Sequence, residues 1–373
     1  MVKILFLTND LGLGGVQRLT VDFANFINKN DFEPWVATLF SRPESFFYRD
    51  KLGSDIELRS FNFRAWWDLP NWWKFYRFLK KENFQIVFTQ LFLSDFIGRI
   101  CAWLAGTPVI VTEIQNIIPN LPKRYIIIDR LLRGITDVCI SATGAVTEYA
   151  KTIIEFPPQK VAEIPTNAVD ARRFNIQVDR KKVRAGLGIP EDAKVIISVG
   201  RLVEQKGHVF LIKAAPKVLA KEPNAYFLIA GSGRLQNQLQ LEIDALGISE
   251  RFKLLGDRKD IPELLMSSDI FAFPSIFEGQ GLILFEAFFS KIPIVASNTG
   301  GIPDVIWHEN TGLLVNPSDP DDLSESILRL LNNPAFAKKL AERALEKFGD
   351  RTMENSIKKL EALFKKLVRR QSA

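Results

Sequence analysis

Residues 269–287, DIFAFPSIFEGQGLILFEA, decide the fold because they join a buried strand to a helix through a glycine turn. The apolar run at their start predicts a short strand, and a Pro-Ser pair ends it. Two glycines then open a helix, and Glu278 and Glu286 bracket this turn. A strand that passes through glycine into a helix is typical of parallel α/β sheets.

A second glycine turn follows closely. The strand 293–297 leads to Thr299–Asp304, which we expect to open another helix. Two such turns aim backbone N–H groups and helix dipoles at one crevice, which suits a diphosphate. A carboxylate there is an acceptor for the hydroxyls of a sugar or ribose. The pattern predicts a pocket for a nucleoside diphosphate that carries a sugar. The alternative is that each glutamate is an ordinary helix-start or solvent-facing charge.

Two cations follow another predicted strand, 195–199. Arg201 offers a planar fork and Lys206 a compact charge, and both suit phosphate oxygens. Because a departing nucleoside diphosphate gains negative charge, preorganised cations there would stabilise the transition state more than the ground state. The alternative is an exposed pair near a turn, which has little energetic value.

The chain of 373 residues is longer than one core usually organises. Strands alternate with helical patterns in both halves, which predicts an α/β fold of two doubly wound, Rossmann-like domains that face each other across a cleft. We expect a first domain over 1–170, a second over 171–351, and a final helix over 352–373 that packs back on the first. The predicted strands are 3–8, 35–40, 86–89, 109–112 and 138–141, then 195–200, 225–230, 252–255, 270–273 and 294–296.

Composition narrows the class of protein. The net charge of +6 is spread along the chain and does not indicate nucleic-acid binding. No stretch predicts a membrane span or a signal peptide. Cys101 and Cys139 support neither a disulfide framework nor a zinc site, so a cytoplasmic setting is expected.

An aromatic and basic segment, 64–81, contains Trp66, Trp67, Trp72 and Trp73 among Arg and Lys residues. Segments of this composition lie at membrane surfaces, where a peripheral contact with the inner face would form. A core helix that buries the rings is an equally good interpretation. The basic end of the chain is either a further membrane contact or a solvated helix terminus.

The remaining candidates are weaker. Gly14 and Gly15 belong to a glycine turn after the first strand, but the full G-x-G-x-x-G spacing is absent, so a dinucleotide cofactor is not indicated. No triad or metal-ligand spacing surrounds His208 or His308, and both are interpreted as structural or solvent-facing.

Taken together, these motifs resemble the retaining GT-B glycosyltransferases of glycosyltransferase family 4. The carboxyl-terminal half carries the specific part of the resemblance. Its motifs are Glu278 to Glu286 (an E-x7-E pattern), Gly200-Arg201-Leu202 with Lys206-Gly207, Gly300 to Ile306, and Thr311 to Val315; Gly14-Gly15 and Asn167 to Asp170 agree as well.

The resemblance implies roles for these residues. Glu278 would contact the donor sugar, Glu286 the ribose, and Arg201 and Lys206 the leaving diphosphate, with no metal or other cofactor. This chain departs from many relatives because its first half has no histidine after the fourth strand. The further donor contacts implied are Gly14, Gly15, Gly200, Gly279, Gln280, Gly281 and Leu282, and the acceptor or sugar contacts are Glu113 and Asn116.

The sequence therefore predicts a retaining hexosyltransferase that uses a nucleoside-diphosphate sugar. Its acceptor would be a saccharide or a lipid-linked saccharide, as in polysaccharide, lipopolysaccharide or glycan biosynthesis. Two alternatives stay open: a nucleotide-sugar epimerase of the same fold, and a non-catalytic protein that binds sugar nucleotides. The sequence does not specify the base, the sugar, the linkage or the oligomeric state.

Overall fold

The structure is a computed structural model that describes residues 1–12, 14–40, 47–115, 117, 121–279 and 281–371. It divides into two compact units. The first comprises Met1–Ala168 with Arg351–Ala373, and the second comprises Val169–Asp350. The predicted divisions, after residues 170 and 351, lie within two residues of these.

The first unit is built on a parallel sheet of seven strands in the order β3-β2-β1-β4-β5-β6-β7. Its strands are β1 Val2–Thr8, β2 Phe32–Thr38, β3 Glu57–Ser60, β4 Ile86–Gln90, β5 Val109–Ile114, β6 Val138–Ser141 and β7 Val161–Glu163. Its helices before residue 168 are α1 Gly15–Phe26, α2 Leu69–Glu82, α3 Phe92–Ala105, α4 Lys123–Leu132 and α5 Gly144–Thr152, with 3₁₀ turns at Arg49–Lys51, Arg133–Ile135 and Pro158–Lys160.

The second unit has a parallel sheet of six strands in the order β10-β9-β8-β11-β12-β13. Its strands are β8 Lys194–Val199, β9 Ala225–Ala230, β10 Phe252–Leu254, β11 Ile270–Phe273, β12 Ile294–Ser297 and β13 Leu313–Val315. Its helices are α6 Arg180–Gly186, α7 His208–Lys221, α8 Gln236–Ala245, α9 Ile261–Met266, α10 Leu282–Phe289, α11 Pro320–Leu331 and α12 Pro334–Phe348, with 3₁₀ turns at Ala171–Phe174 and Glu204–Lys206.

Alternate strand residues of the second unit face two separate apolar clusters. Ile197 and Phe271 belong to one cluster, whereas their neighbours Ile196 and Ala272 belong to the other. Because successive side chains of a strand point to opposite faces, both faces of the sheet are covered. The prediction of two doubly wound α/β domains is confirmed.

The last helix, α13 Met353–Gln371, packs on the first unit. Its buried residues recur every three or four positions, as expected for one apolar face of a helix. The ring of Phe364 lies 6.2 Å from that of Phe32 and 6.1 Å from that of Phe88. Ser356 Oγ also donates to the carbonyl oxygen of Pro165 at 2.5 Å.

Some sequence expectations differ from the structure. The segment Thr299–Asp304 was expected to open a helix, and this expectation is wrong, because residues 299–306 form turns. The segment closes only a single helical turn, from Ile306 N–H to the carbonyl of Ile302 at 2.8 Å. The chain then folds back, because the Trp307 carbonyl accepts from the N–H groups of Asn310 and Thr311, both at 2.9 Å. Strands β3 and β13 were not predicted; β3 contains one apolar residue, Leu58, and is mostly exposed.

Candidate functional site

The strand order creates a switch point in the second sheet. The chain leaves β8 toward β9 and β10, then returns to place β11 on the other side of β8. Ligands of doubly wound sheets bind outside the carboxyl ends of the strands at such a point. The segments that follow β8, β11 and β12 all leave the sheet at this edge.

Backbone hydrogen bonds join these three segments. Ile276 N–H donates to the carbonyl oxygen of Gln205 at 2.8 Å, which links the loops after β11 and β8. Gly301 N–H donates to the carbonyl oxygen of Glu278 at 3.1 Å, which links the loops after β12 and β11. The structure therefore brings together the two glycine turns and the cation-bearing loop that the sequence singled out.

Two glycines make this close packing feasible. Gly207 has a φ of +61°, and a Cβ atom there would overlap the carbonyl oxygen of Pro274. Gly300 has a φ of +54°, and a Cβ atom there would overlap the carbonyl oxygen of Glu278. Both the left-handed backbone and the close approach require glycine. The loops therefore pack backbone to backbone.

Lys206 and Glu278 form an ion pair at the centre of these loops. The ammonium group donates a short hydrogen bond to Glu278 Oε2 and lies 5.1 Å from the centre of the Phe273 ring. The two side chains are 14% and 6% exposed. A buried charge is costly unless it is paired, and here the Lys206 ammonium and the Glu278 carboxylate pair with each other. The solvent-facing alternative is thus wrong for Glu278.

Glu286 lies one turn after the first residue of α10, Leu282, and is also buried. Arg173 Nη1 donates to its Oε1 at 3.1 Å. Arg173 stands in the 3₁₀ turn Ala171–Phe174, more than a hundred residues earlier in the chain. The solvent-facing alternative is wrong for Glu286 as well.

The other donor residues predicted in the second unit belong to the same two loops as this pair. Gly200 packs against the stem of Lys206, 3.4 Å from where its own Cβ would lie. Arg201 is exposed, and its guanidinium makes no hydrogen bond or ion pair with any residue that the structure describes. The backbone segment at the start of α10 consists of buried Gly279, Gly281 at its N-cap and Leu282 as its first residue, whereas Gln280 lies outside the described residues.

His208 begins α7 directly beneath the cation-bearing loop. It is buried, and its Nδ1 lies 3.3 Å from Ser198 Oγ. Burial, followed by the charge of Lys206, lowers the pKa of this imidazole to about 4. The ring is therefore neutral near pH 7. His308 is exposed, and its Nδ1 accepts a hydrogen bond from Leu314 N–H at 3.0 Å.

The first unit carries the remaining predicted residues. Gly14 is the N-cap of α1, and Gly15 is the first residue of this helix. Glu113 lies near the carboxyl end of β5 and is 1% exposed. Asn116 lies outside the described residues.

Glu113 belongs to a buried polar row that sequence reasoning missed. Gln90 Nε2 donates to its Oε2 at 2.6 Å, and Thr20 Oγ1 donates to Gln90 Oε1 at 2.6 Å. Burial raises the pKa of the Glu113 carboxyl to about 7. The only available signal was that Gln90 and Glu113 end apolar strand patterns, and strand ends are where polar side chains of such sheets serve ligands.

A second buried carboxylate, Asp95, lies in the same unit. The hydroxyls of Thr89 and Thr112 both donate to its Oδ1, the latter at 2.5 Å. Burial raises its pKa to about 6, against the opposing charge of Arg99. This network stabilises the junction of α3 with β4 and β5.

The tryptophan-rich segment is divided in the structure. Phe75 and Leu79 of α2 are buried, as in a core helix, and Trp72 packs its ring on Phe96 of α3. Trp66, Trp67 and Trp73 are 54%, 65% and 61% exposed. The core-helix interpretation therefore holds for the buried part of the segment, and contact of the exposed rings with a membrane stays a prediction.

Within the described ranges, no group of three or more His, Cys, Asp or Glu side chains is placed to hold a metal ion. No helix in the same ranges has the length and apolar character needed to cross a bilayer. Cys101 and Cys139 are both buried free thiols.

Comparisons with known proteins cover both units. Residues 179–347 match the model of Glycosyl transferases group 1, and residues 13–173 match that of Glycosyltransferase Family 4. The chain is 27% identical over 332 residues to the UDP-Gal:alpha-D-GlcNAc-diphosphoundecaprenol alpha-1,3-galactosyltransferase of Escherichia coli, with 86% of each chain covered. It is 37% identical over 179 residues to a GDP-mannose-dependent monoacylated alpha-(1-6)-phosphatidylinositol monomannoside mannosyltransferase of Corynebacterium glutamicum, which covers 45% of this chain and 46% of that one.

Among solved structures, the chain resembles Anabaena Alr3699/HepE in complex with UDP and glucose. The TM-score is 0.87 at 20% identity, with 98% of this chain and 100% of the other covered. At this identity the likeness shows the fold alone, and it confirms the predicted GT-B architecture.

Proposed function

We propose a donor, an acceptor and a reaction course for this chain, which belongs to the GT-B glycosyltransferases, with a Family 4 first domain and a group 1 second domain. The donor is a nucleoside-diphosphate hexose, the acceptor is a saccharide or lipid-linked saccharide, and the sugar keeps its anomeric configuration. The setting is the cytoplasm, at the inner face of the membrane.

The observation that carries the donor assignment is the Lys206–Glu278 pair at the switch point of the second sheet. A sugar nucleotide presents negative phosphate oxygens beside neutral hydroxyls. Lys206 matches the phosphate and Glu278 accepts from the hydroxyls, so the ligand can replace each group's present partner. The relatives named above use UDP-Gal and GDP-mannose, which is the same class of donor.

The chemical step that we propose is the one that the resemblance to retaining enzymes implies. The bond between the anomeric carbon and the diphosphate oxygen breaks, and a bond to an acceptor oxygen forms on the same face of the sugar. The acceptor proton passes to the departing phosphate. Lys206 and Arg201 stabilise the charge that accumulates on that phosphate, and no metal is required.

The acceptor is assigned to the first unit. Glu113 and Gln90 place a buried acceptor and a buried donor of hydrogen bonds at the carboxyl ends of neighbouring strands. Uncharged hydroxyl groups match such a row, and Asn116 would add an amide. The Escherichia coli relative acts on a diphosphoundecaprenol-linked sugar, which supports an acceptor of the lipid-linked class.

Contact with the membrane is assigned to exposed aromatic and basic side chains of α2 and the turn before it. Trp67 and Trp73 are exposed, and Lys74 and Arg77 are exposed on the same helix as Trp73. Aromatic rings at the headgroup level, together with cations that attract anionic lipids, favour a peripheral contact. Trp72 does not take part, because its indole N–H donates to the carbonyl of Trp66 and its ring packs on Phe96.

The donor and reaction are tested by turnover. Purified protein is incubated with UDP-glucose, UDP-galactose or GDP-mannose and with extracted lipid-linked saccharides, and the products are examined by NMR. We expect one donor to yield a glycoside with the anomeric configuration of the donor. An inverted product would contradict the retaining course. Conversion of the sugar without any acceptor would indicate an epimerase, and donor binding with no turnover on any acceptor would indicate a binding protein.

The membrane contact has a separate test. Flotation is measured with vesicles of phosphatidylcholine alone and with added phosphatidylglycerol. The wild type should float with the anionic vesicles, and Trp67→Ala/Trp73→Ala should remain at the bottom. Leu241→Ala on α8 is the matched control, because Leu241 is 69% exposed and lies in the other unit. If all three proteins float equally, or if the wild type does not float at all, Trp67 and Trp73 do not form a membrane contact.

A further inference from the structure

The 3₁₀ turn Ala171–Phe174 contacts α10 through two adjacent side chains, Arg173 and Phe174. Arg173 Nη1 donates to Glu286 Oε1 at 3.1 Å, and the ring of Phe174 lies 6.1 Å from that of Phe289. Glu286 and Phe289 are three residues apart, so they share one face of the helix. The turn therefore contacts both the polar and the apolar side chain of that face.

These contacts restrict the orientation of the Glu286 carboxylate. The Arg173 guanidinium lies 5.8 Å from the centre of the Phe174 ring, which restricts it on a second side. Glu286 is 4% exposed and Arg173 25% exposed, so the ion pair is shielded from water on the glutamate side. A charge-assisted hydrogen bond in such surroundings orients a carboxylate more firmly than one at the surface.

We infer that Arg173 is a positioning residue, which holds the Glu286 carboxylate in the orientation that receives the ribose hydroxyls of the donor. The inference rests on the proposed function and on the ribose contact of Glu286 that the family resemblance implies. It adds a residue from a distant part of the chain to the specificity of the donor site. Discrimination between ribose and deoxyribose should then depend on Arg173, although Arg173 itself does not contact the donor.

A neighbouring arginine provides a matched control. Arg172 stands in the same 3₁₀ turn and carries the same charge, but it is paired with Asp170, from Nε at 2.8 Å and from Nη2 at 3.0 Å. Its side chain is 69% exposed. Replacement of Arg172 removes one positive charge from the turn and leaves the contact with Glu286 in place.

The test compares nucleotides with and without a ribose hydroxyl. Calorimetry measures the affinities for UDP, 2′-deoxy-UDP and 3′-deoxy-UDP, and for the corresponding GDP set, in wild type, R173A, R173K, R172A and E286Q. We expect R173A to weaken binding of the ribonucleotide about tenfold, the value of one charged hydrogen bond. Binding of the deoxynucleotide that lacks the contacted hydroxyl should change by less than about twofold. R173K should recover part of the loss, and R172A should resemble the wild type.

The outcomes separate the inference from the function on which it rests. If E286Q loses the preference for the ribonucleotide while R173A keeps it, the positioning role is wrong and the ribose role of Glu286 stands. If E286Q keeps the preference as well, both are wrong. Equal weakening of all nucleotides by R173A, with an unchanged melting temperature, would mean that Arg173 acts only through its charge. Steady-state kinetics adds a second readout, since R173A should raise the donor KM with little change in kcat.

Discussion

The two units treat their buried carboxylates in opposite ways. In the second unit, Glu278 and Glu286 are hydrogen-bonded to Lys206 and Arg173. In the first, Glu113 is hydrogen-bonded to the neutral side chain of Gln90. Cationic side chains therefore pair with Glu278 and Glu286, whereas burial raises the pKa of Glu113 to about 7.

This difference indicates which ligand chemistry each sheet edge suits. A site with fixed opposite charges can accept a ligand that brings its own phosphates and hydroxyls. The buried row of Thr20, Gln90 and Glu113 contains no cation, so it suits uncharged hydroxyl groups. The comparison is therefore consistent with a charged donor in the second unit and an uncharged acceptor hydroxyl in the first, as proposed above.

The largest effect is expected from Lys206→Ala. The variant loses a preorganised cation and leaves Glu278 buried without its ion-pair partner, so kcat should fall about 10²- to 10³-fold. Release of the nucleoside diphosphate from the donor measures this loss. Lys213→Ala on α7 is the control, because Lys213 is half exposed and pairs with Glu242 at 3.7 Å. If Lys206→Ala were as active as that control, the second unit would not use a fixed cation to stabilise the leaving diphosphate.

Gly300→Ala tests the backbone packing that holds the charged site together. A Cβ atom at this left-handed position would overlap the Glu278 carbonyl, so we expect a loss of about 3 kcal/mol in stability. Gly256→Ala is the matched control, since its φ of +65° is similar but no atom lies within 4 Å of the added Cβ. Thermal unfolding of both variants gives the difference. Similar melting temperatures would mean that the close contact is easily relieved.

Arg201→Ala separates a role in binding from a role in the fold. Because its guanidinium makes no hydrogen bond or ion pair within the described part of the chain, its removal should leave the melting temperature unchanged. Loss of a charged contact with phosphate should nevertheless weaken UDP or GDP binding about tenfold. Calorimetry measures the nucleotide affinity and a thermal melt measures the stability of the same preparation. Unchanged affinity would remove Arg201 from the donor site.

Glu113→Gln tests the first unit through the pH dependence of its stability. The pKa of Glu113 is raised on folding, from 4.5 to about 7, so the folded state binds its proton more tightly than the unfolded state does. The stability contributed by that proton is present below about pH 4.5 and is lost as the pH rises through about 7. Glutamine carries no such dependence. The melting temperature of the variant relative to wild type should therefore rise between pH 5 and pH 8, and a constant difference would contradict a raised pKa.

Much of the fold followed from apolar strand patterns, because strands buried on both faces are nearly continuous runs of Val, Ile and Phe. The short strand β3 was missed, since its residues are mostly exposed and lack such a run. The helix expected after Gly301 was wrong, because the chain folds back at Trp307 after a single helical turn.

The sequence singled out Glu278 and Lys206 because each belongs to a family motif, although 72 residues separate them. Arg173 was not predictable, because its ion pair with Glu286 spans 113 residues and depends on the packing of one turn against α10. Gln90 and Thr20 were missed for a related reason. Polar residues in buried strands and helices are interpretable only once their hydrogen-bond partners are known.

The central claim is that the loops after β8, β11 and β12, which carry Lys206 and Glu278, bind the donor diphosphate. Hydrogen exchange of backbone amides, measured with and without saturating UDP or GDP, tests this most directly. The account predicts that exchange slows in peptides covering 200–208, 274–289 and 298–302. Protection confined to the first unit, or to parts of the second unit away from these segments, would contradict it.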